Sequence, residues 1–115
     1  MMADSLDWIV IGELKELLED SFPMLIARFI DDGEVRLEKI AEALAMQDAK
    51  VVYAEAHGLK GSSRNIGAFK LGDFFDQLET LAHTKNLAAA ATIFAAGQTE
   101  FAAVSTALTA HIAPA

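Results

Sequence analysis

Leu87, Phe94, Phe101 and Leu108 recur at every seventh position through the C-terminal part of the chain. The repeat passes straight through Gly97 without losing register. A seam held in phase over that length requires one continuous helix carrying an apolar stripe, and such a stripe must be covered by other helices. Composition agrees. Just over half of the residues are apolar, Leu and Ala dominate, and Pro occurs twice in 115 residues. Those features favour an all-helical domain, and the length suits a single one spanning residues 1–115.

Helical spacing can be followed along the rest of the chain. A first helix is expected over about 6–19, with Val10, Leu14, Leu17 and Leu18 as its stripe. Ser21 can cap the next helix and Pro23 suits its first turn. That helix is expected to reach about Met46, with Leu25, Phe29, Ile40 and Leu44 near one face. Gly33 lies inside it, either as a bend or as a simple cost to helix stability of about 1 kcal/mol. Asp48 can cap a third helix over about Ala49 to Asn65, which Gly67 ends. A fourth is expected over about Phe69 to His83, through Leu71, Phe74, Phe75, Leu78 and Leu81. Asn86 can cap the last, which runs to Ile112. Long amphipathic helices joined by short turns point to an antiparallel four-helix bundle over about 22–112, with the first helix packed across one end. Linkers, low-complexity tracts and tandem repeats are absent from the sequence.

Charge limits the partners. The net charge is −8, which argues against nucleic acid. The N-terminus lacks the basic start and apolar run of a secretory signal. The longest apolar stretch, Leu87 to Ala96, is too short to span a bilayer. Cysteine is absent, so thiolate metal sites and disulfides are excluded. A soluble cytoplasmic monomer, binding neither membrane nor metal, is expected. One segment departs from the acidic average. Lys50, Lys60, Arg64 and Lys70 face a single acid, Glu55, giving a local net charge of +3. Such an island suits an anion, or it is a chance cluster on a solvated face.

The third helix concentrates the chemistry. Val52, Ala56, Leu59, Ser63 and Ile66 recur at spacings of four and three and form its buried seam. At about 100° per residue, His57 lies roughly 140° from the centre of that seam and faces outward. Tyr53, Lys60, Gly61 and Arg64 share its half of the helix. Gly58 and Gly61 both cost helix stability, and both leave the imidazole unshielded for a second macromolecule. Lys60 is placed to meet an anion held on the ring. If the third and fourth helices form a hairpin pivoting at Gly67-Ala68, the position opposite His57 is Glu79. A carboxylate there can accept the Nδ1–H and leave Nε2 with a free lone pair. Geometry leaves Glu79 equally open to being a surface acid near Lys85.

The run Ala56-His57-Gly58-Leu59-Lys60-Gly61-Ser62-Ser63, followed by Asn65-Ile66-Gly67-Ala68, closely resembles the motif of histidine-containing phosphotransfer (HPt) domains. Those domains read a-H-x-L-K-G-(S/A)-(S/A)-x-x-(I/L)-G-A, and every defined position matches. Leu78-Glu79 looks like the family's Leu-Glu pair, and Phe22 through Phe29 resembles its second-helix entry.

The resemblance implies a phosphorelay intermediate without kinase activity of its own. His57 would accept a phosphoryl group at Nε2 from the aspartyl phosphate of a receiver domain, as in a hybrid sensor kinase. It would then pass the group to the aspartate of a response regulator. Lys60 matches the lysine that neutralises phosphoryl oxygens, Gly61 the small residue that admits the receiver, and Glu79 the position that orients the imidazole. Gly58, Tyr53 and Arg64 would complete the phosphate and partner face. Mg2+ would sit on the receiver, with no cofactor bound here.

An apolar docking patch would draw on Ile9, Ile11 and Phe22. His83 and His111 are read as solvated or helix-end histidines. Two other functions compete. A helical adaptor that has lost transfer would be marked by loss of His57, which is present with its neighbours. A di-iron bundle needs Glu-x-x-His pairs, but Ala54 and Thr80 stand three residues before His57 and His83.

Overall fold

The computed structural model describes residues 6–112 and forms helices where the apolar spacing requires them. They are α1 (Trp8–Leu18), a single 3-10 turn (Glu19–Ser21), α2 (Phe22–Ala45), α3 (Ala49–Asn65), α4 (Phe69–His83) and α5 (Leu87–Ile112). No strand occurs among the described residues. Helices α2 to α5 run up and down in chain order. Each packs on the next, and α5 closes back on α2. The core lies between them, with Ile26, Ile40, Val52, Leu59, Leu71, Phe75, Leu78 and Val104 among its fully buried side chains. Each such side chain contributes about 1.5–3 kcal/mol through burial.

The three tight connections share one construction. The amides of Asp48, Ala68 and Asn86 donate to the carbonyls of Ala43, Ser63 and Leu81, five residues back. Gln47, Gly67 and Lys85, one residue earlier, take positive φ values of 57°, 88° and 61°. This is the Schellman helix ending, and the residue that completes it also begins the next helix. Asp48 and Asn86 then cap with their side chains, accepting from the amides of Val51 and Ala89. At the α3–α4 turn Gly67 is required twice over. A Cβ there would lie 3.2 Å from Val10 and 3.3 Å from the Asp7 carbonyl, and its own carbonyl accepts the Asp7 amide at 2.8 Å. That bond fastens the start of α1 over the end of the bundle.

Several expectations change at this end. The first helix starts at Trp8, because Asp7 caps it through Ile9 and Val10, and Leu6 is buried just before it. Its one fully buried residue is Ile11, while Leu17 of the expected stripe is 77% exposed. A helix that crosses a bundle end touches it at few points, so the full stripe is not covered. Ser21 makes no capping bond, because its backbone is already helical and carries the 3-10 turn into α2. Gly33 lies within one unbroken helix and is buried. The Phe101 ring of α5 rests on it, and a Cβ would stand 2.4 Å from Phe101 Cε1.

The last helix is continuous through Gly97. Its 26 residues are long and apolar enough to cross a membrane by length and composition, which the interrupted run Leu87 to Ala96 did not suggest. In the bundle Phe94, Phe101, Val104 and Leu108 lie in the core.

Candidate functional site

The α3–α4 hairpin sets side chains opposite one another in rungs. Its turn fixes the register, so every rung follows from the same count. Arg64 lies across Gly72 and pairs with Asp73 at 3.2 Å. Lys60 faces Asp76 at 3.3 Å, and His57 faces Glu79 at 3.3 Å. Tyr53 faces His83, with ring centroids 5.9 Å apart. The register also decides burial: α3 turns Val52, Ala56, Leu59 and Ser63 inward and leaves these rungs along one flank.

His57 is exposed, with 64% of its side chain accessible. Its Nδ1 lies 3.3 Å from Glu79 Oε1, on a carboxylate only 13% exposed. The same oxygen takes the Lys60 ammonium at 2.8 Å. Burial pushes the Glu79 carboxyl up, but hydrogen bonds from Lys60 and His57, and their charge, outweigh it and hold the group below the usual carboxylate range. An ionised carboxylate only accepts, so Nδ1 must carry the hydrogen, and in the neutral ring the lone pair is left to Nε2. The Lys60 ammonium is raised in turn, first by its bond to Glu79 and then, against burial, by Asp76. Tyr53 lies parallel to the imidazole one turn earlier, at 6° between planes and 6.3 Å between centroids.

The two glycines differ. A Cβ at Gly61 would meet nothing within 4 Å, so the helix surface beside His57 is open on that side. A Cβ at Gly58 would stand 2.4 Å from Arg36 Nη1. The bare backbone at Gly58 therefore seats a guanidinium from α2 and does not leave that side of the ring open. Arg36 is held there by Asp32 and Glu55, each at 3.0 Å. Its guanidinium is raised, first by the Asp32 hydrogen bond and then, against burial, by both carboxylates.

Arg64 is likewise not brought to His57, since Asp73 and Gly72 hold it along α4. Of the docking candidates, Ile9 is 76% exposed, whereas Ile11 and Phe22 are 0% and 1% exposed and belong to the core. His111 is exposed at the end of α5, where its ring lies 4.9 Å from that of Trp8. No group of three His, Asp or Glu side chains converges to hold a metal among the described residues.

Two participants escape the sequence reading. Asp76 was available to it: the hairpin count that pairs His57 with Glu79 pairs Lys60 with Asp76. Arg36 was not, because its place depends on the packing of α2 against α3.

The geometry defines an exposed, tautomer-fixed imidazole on a helical bundle, with a lysine one turn on and a bare helix face beside it. This is the form of a phosphotransfer module. The chain matches the model of the Hpt domain over residues 24–111 and belongs to that family, whose role is phosphotransfer in two-component signalling. Among solved structures it is similar to histidine-containing phosphotransfer protein B from Pseudomonas aeruginosa PAO1, with TM-score 0.90, 34% identity and 93% of each chain covered. It is also similar to the histidine-containing phosphotransfer protein ZmHP2 from maize, with TM-score 0.82 and 25% identity over 89% of this chain and 85% of that one. A rice protein described as a histidine-containing phosphotransfer protein shares the fold, with TM-score 0.84 and 22% identity over 95% of this chain and 82% of that one. No curated protein matches the chain.

Proposed function

We propose that His57 is the phosphoacceptor and that the chain carries phosphoryl groups between receiver domains. The carrying observation is the Glu79 bond to Nδ1, which directs the free lone pair of Nε2 into solvent beside Gly61. In the transfer, the Nε2 lone pair attacks the phosphorus of an aspartyl phosphate on the receiver. The N–P bond forms as the P–O bond to the aspartate breaks, and that electron pair leaves as the aspartate carboxylate. The Nδ1 hydrogen stays on the ring, and the imidazolium charge that develops is met by Glu79. The reverse sequence delivers the group to a second receiver. A divalent ion such as Mg2+, held by the receiver, would supply charge neutralisation at the transferring oxygens. This chain contributes position and one cation, which suffices for phosphoryl transfer.

Local charge explains why the group would move on. Lys60, Glu79 and Asp76 together carry a net charge of −1 around a neutral His57. A phosphoryl dianion must compete with two carboxylates for Lys60, so the site offers transfer without a deep trap. On this reading the chain is a carrier without kinase activity of its own. The other reading, an adaptor that docks without transfer, gives no reason for the Glu79–His57 bond.

The test uses a panel of purified receiver domains charged with radiolabelled acetyl phosphate. Wild type is expected to take up acid-labile, base-stable label, and His57→Gln none, with an unchanged melting temperature because the side chain is exposed. Equal label on both proteins overturns the assignment.

A further inference from the structure

The ion pairs leave one group of basic side chains beside the site uncommitted. Lys60, Arg64, Arg36 and Lys70 of the α3 region and its neighbours are all paired with carboxylates. Lys50, Lys85 and His83 have no ion pair among the described residues. These three meet at one place. With Ala49, Tyr53 and Ala82 they line an open pocket of about 480 Å³ between the start of α3 and the end of α4. Its lining contains no acid. The nearest acid in sequence, Asp48, has its carboxylate on the Val51 amide.

The pocket adjoins the His57 site. Tyr53 is the wall between them, parallel to the His57 ring on one side and 5.9 Å from the His83 ring on the other. Lys50 and His57 are seven residues apart on one outward face, about 10 Å along the helix. A partner seated over His57 therefore extends across the pocket. Lys85 stands at a left-handed backbone position, which L residues other than Gly and Asn adopt at some cost. That conformation places a lysine at the pocket rim.

Resting on the reading of His57 as phosphoacceptor, we propose that the Lys50–His83–Lys85 pocket docks an acidic segment of the receiver domain and so selects among receivers. Charge complementarity identifies the occupant. A cationic rim over an apolar floor of Ala49, Ala82 and the Tyr53 ring fits a short loop bearing two or more carboxylates. In a chain of net charge −8, which repels acidic proteins overall, this is the place where such a partner is attracted. Charges at the rim of an interface act on encounter and register more than on the chemical step.

The experiment measures transfer from the receiver that labels wild type fastest in the panel. Reversing both charges, Lys50→Glu with Lys85→Glu, is expected to raise KM for the receiver about tenfold and leave kcat within twofold. The salt dependence of KM should flatten in the same variant. Lys15→Glu with Lys39→Glu makes the same change in net charge on exposed residues elsewhere, and is expected to leave KM near the wild-type value. Amide shifts on adding unphosphorylated receiver should include Lys50, Tyr53, His83 and Lys85. If wild type is labelled and the pocket variant matches it, or matches the Lys15/Lys39 control, the docking proposal is overturned while the His57 reading stands. Equal shifts at these residues with inorganic phosphate at the same concentration also overturn it, in favour of a small-anion site. A wild type that takes no label from any receiver overturns both.

Discussion

The α3–α4 seam and the α2–α5 seam join helices in the same bundle by opposite means. Between α3 and α4 the flank is a ladder of polar rungs: Arg64–Asp73, Lys60–Asp76, His57–Glu79 and Tyr53–His83. Between α2 and α5 the contact is a ring on bare backbone. Phe101 rests on Gly33, with Phe29 at 5.7 Å between ring centroids. The first arrangement fixes side-chain orientation at modest energetic gain, because exposed ion pairs contribute about 0–1 kcal/mol each. The second gives stability through close packing of a ring on backbone. The proposed function uses the seam that is polar and has a bare helix face beside it.

Glycines on the two sides should separate these roles most strongly. Gly33→Val drives a side chain into the Phe101 ring, which is 5% exposed and has little room to retreat. A loss of about 3 kcal/mol is expected, read as a fall in melting temperature of about 10 °C or more. Replacing Phe101 by Leu in that variant should restore part of it. Phosphotransfer by the folded fraction should be unaffected. Gly61→Ala should do the reverse. Nothing crowds a Cβ there, so the helix gains up to about 1 kcal/mol while transfer from a receiver slows. A Gly61→Ala protein that is both more stable and as fast as wild type would remove access as the reason for that glycine.

The carboxylates of the ladder have smaller effects. Glu79 is held below its ordinary value of 4.5, with burial opposing and the bonds from Lys60 and His57 prevailing. Its contribution to stability is therefore present above that value and lost as pH falls through the depressed one. Glu79→Gln should cost about 1 kcal/mol at pH 7, and the gap should close as acid protonates the wild-type carboxyl. Denaturant melts across that range would show it. Asp76→Asn should change stability by less than about 0.5 kcal/mol, since the side chain is half exposed. By freeing Lys60 it should lengthen the lifetime of the phosphorylated protein about twofold, the effect of a few tenths of a kcal/mol.

Much of this was legible in the sequence, for local reasons. The bounds of α3 and α4 follow from Asp48, Gly67 and the apolar spacing, and the continuity of α5 from its heptad seam. Glu79 was reachable because a hairpin has one register. What stayed hidden depends on helices distant in the chain. The basic island reads as +3 along α3, yet Asp76, Asp73 and Glu100 from α4 and α5 neutralise most of it. Gly33 reads as a defect until Phe101 is set on it, and Gly58 reads as open until Arg36 arrives. The left-handed turns at Gln47 and Lys85 lack the glycine that marks the one at Gly67.

The orientation of the imidazole is the centre of the account, and histidine nitrogen chemistry reads it directly. Protein labelled with 15N-histidine and charged by a phosphorylated receiver can be followed by two-dimensional NMR with phosphorus coupling. The expected result is phosphorus bonded to Nε2 of His57, with Nδ1 still protonated, and resting His57 already in the Nδ1–H tautomer. Phosphorus on Nδ1 of His57, or on His83 or His111, would contradict it.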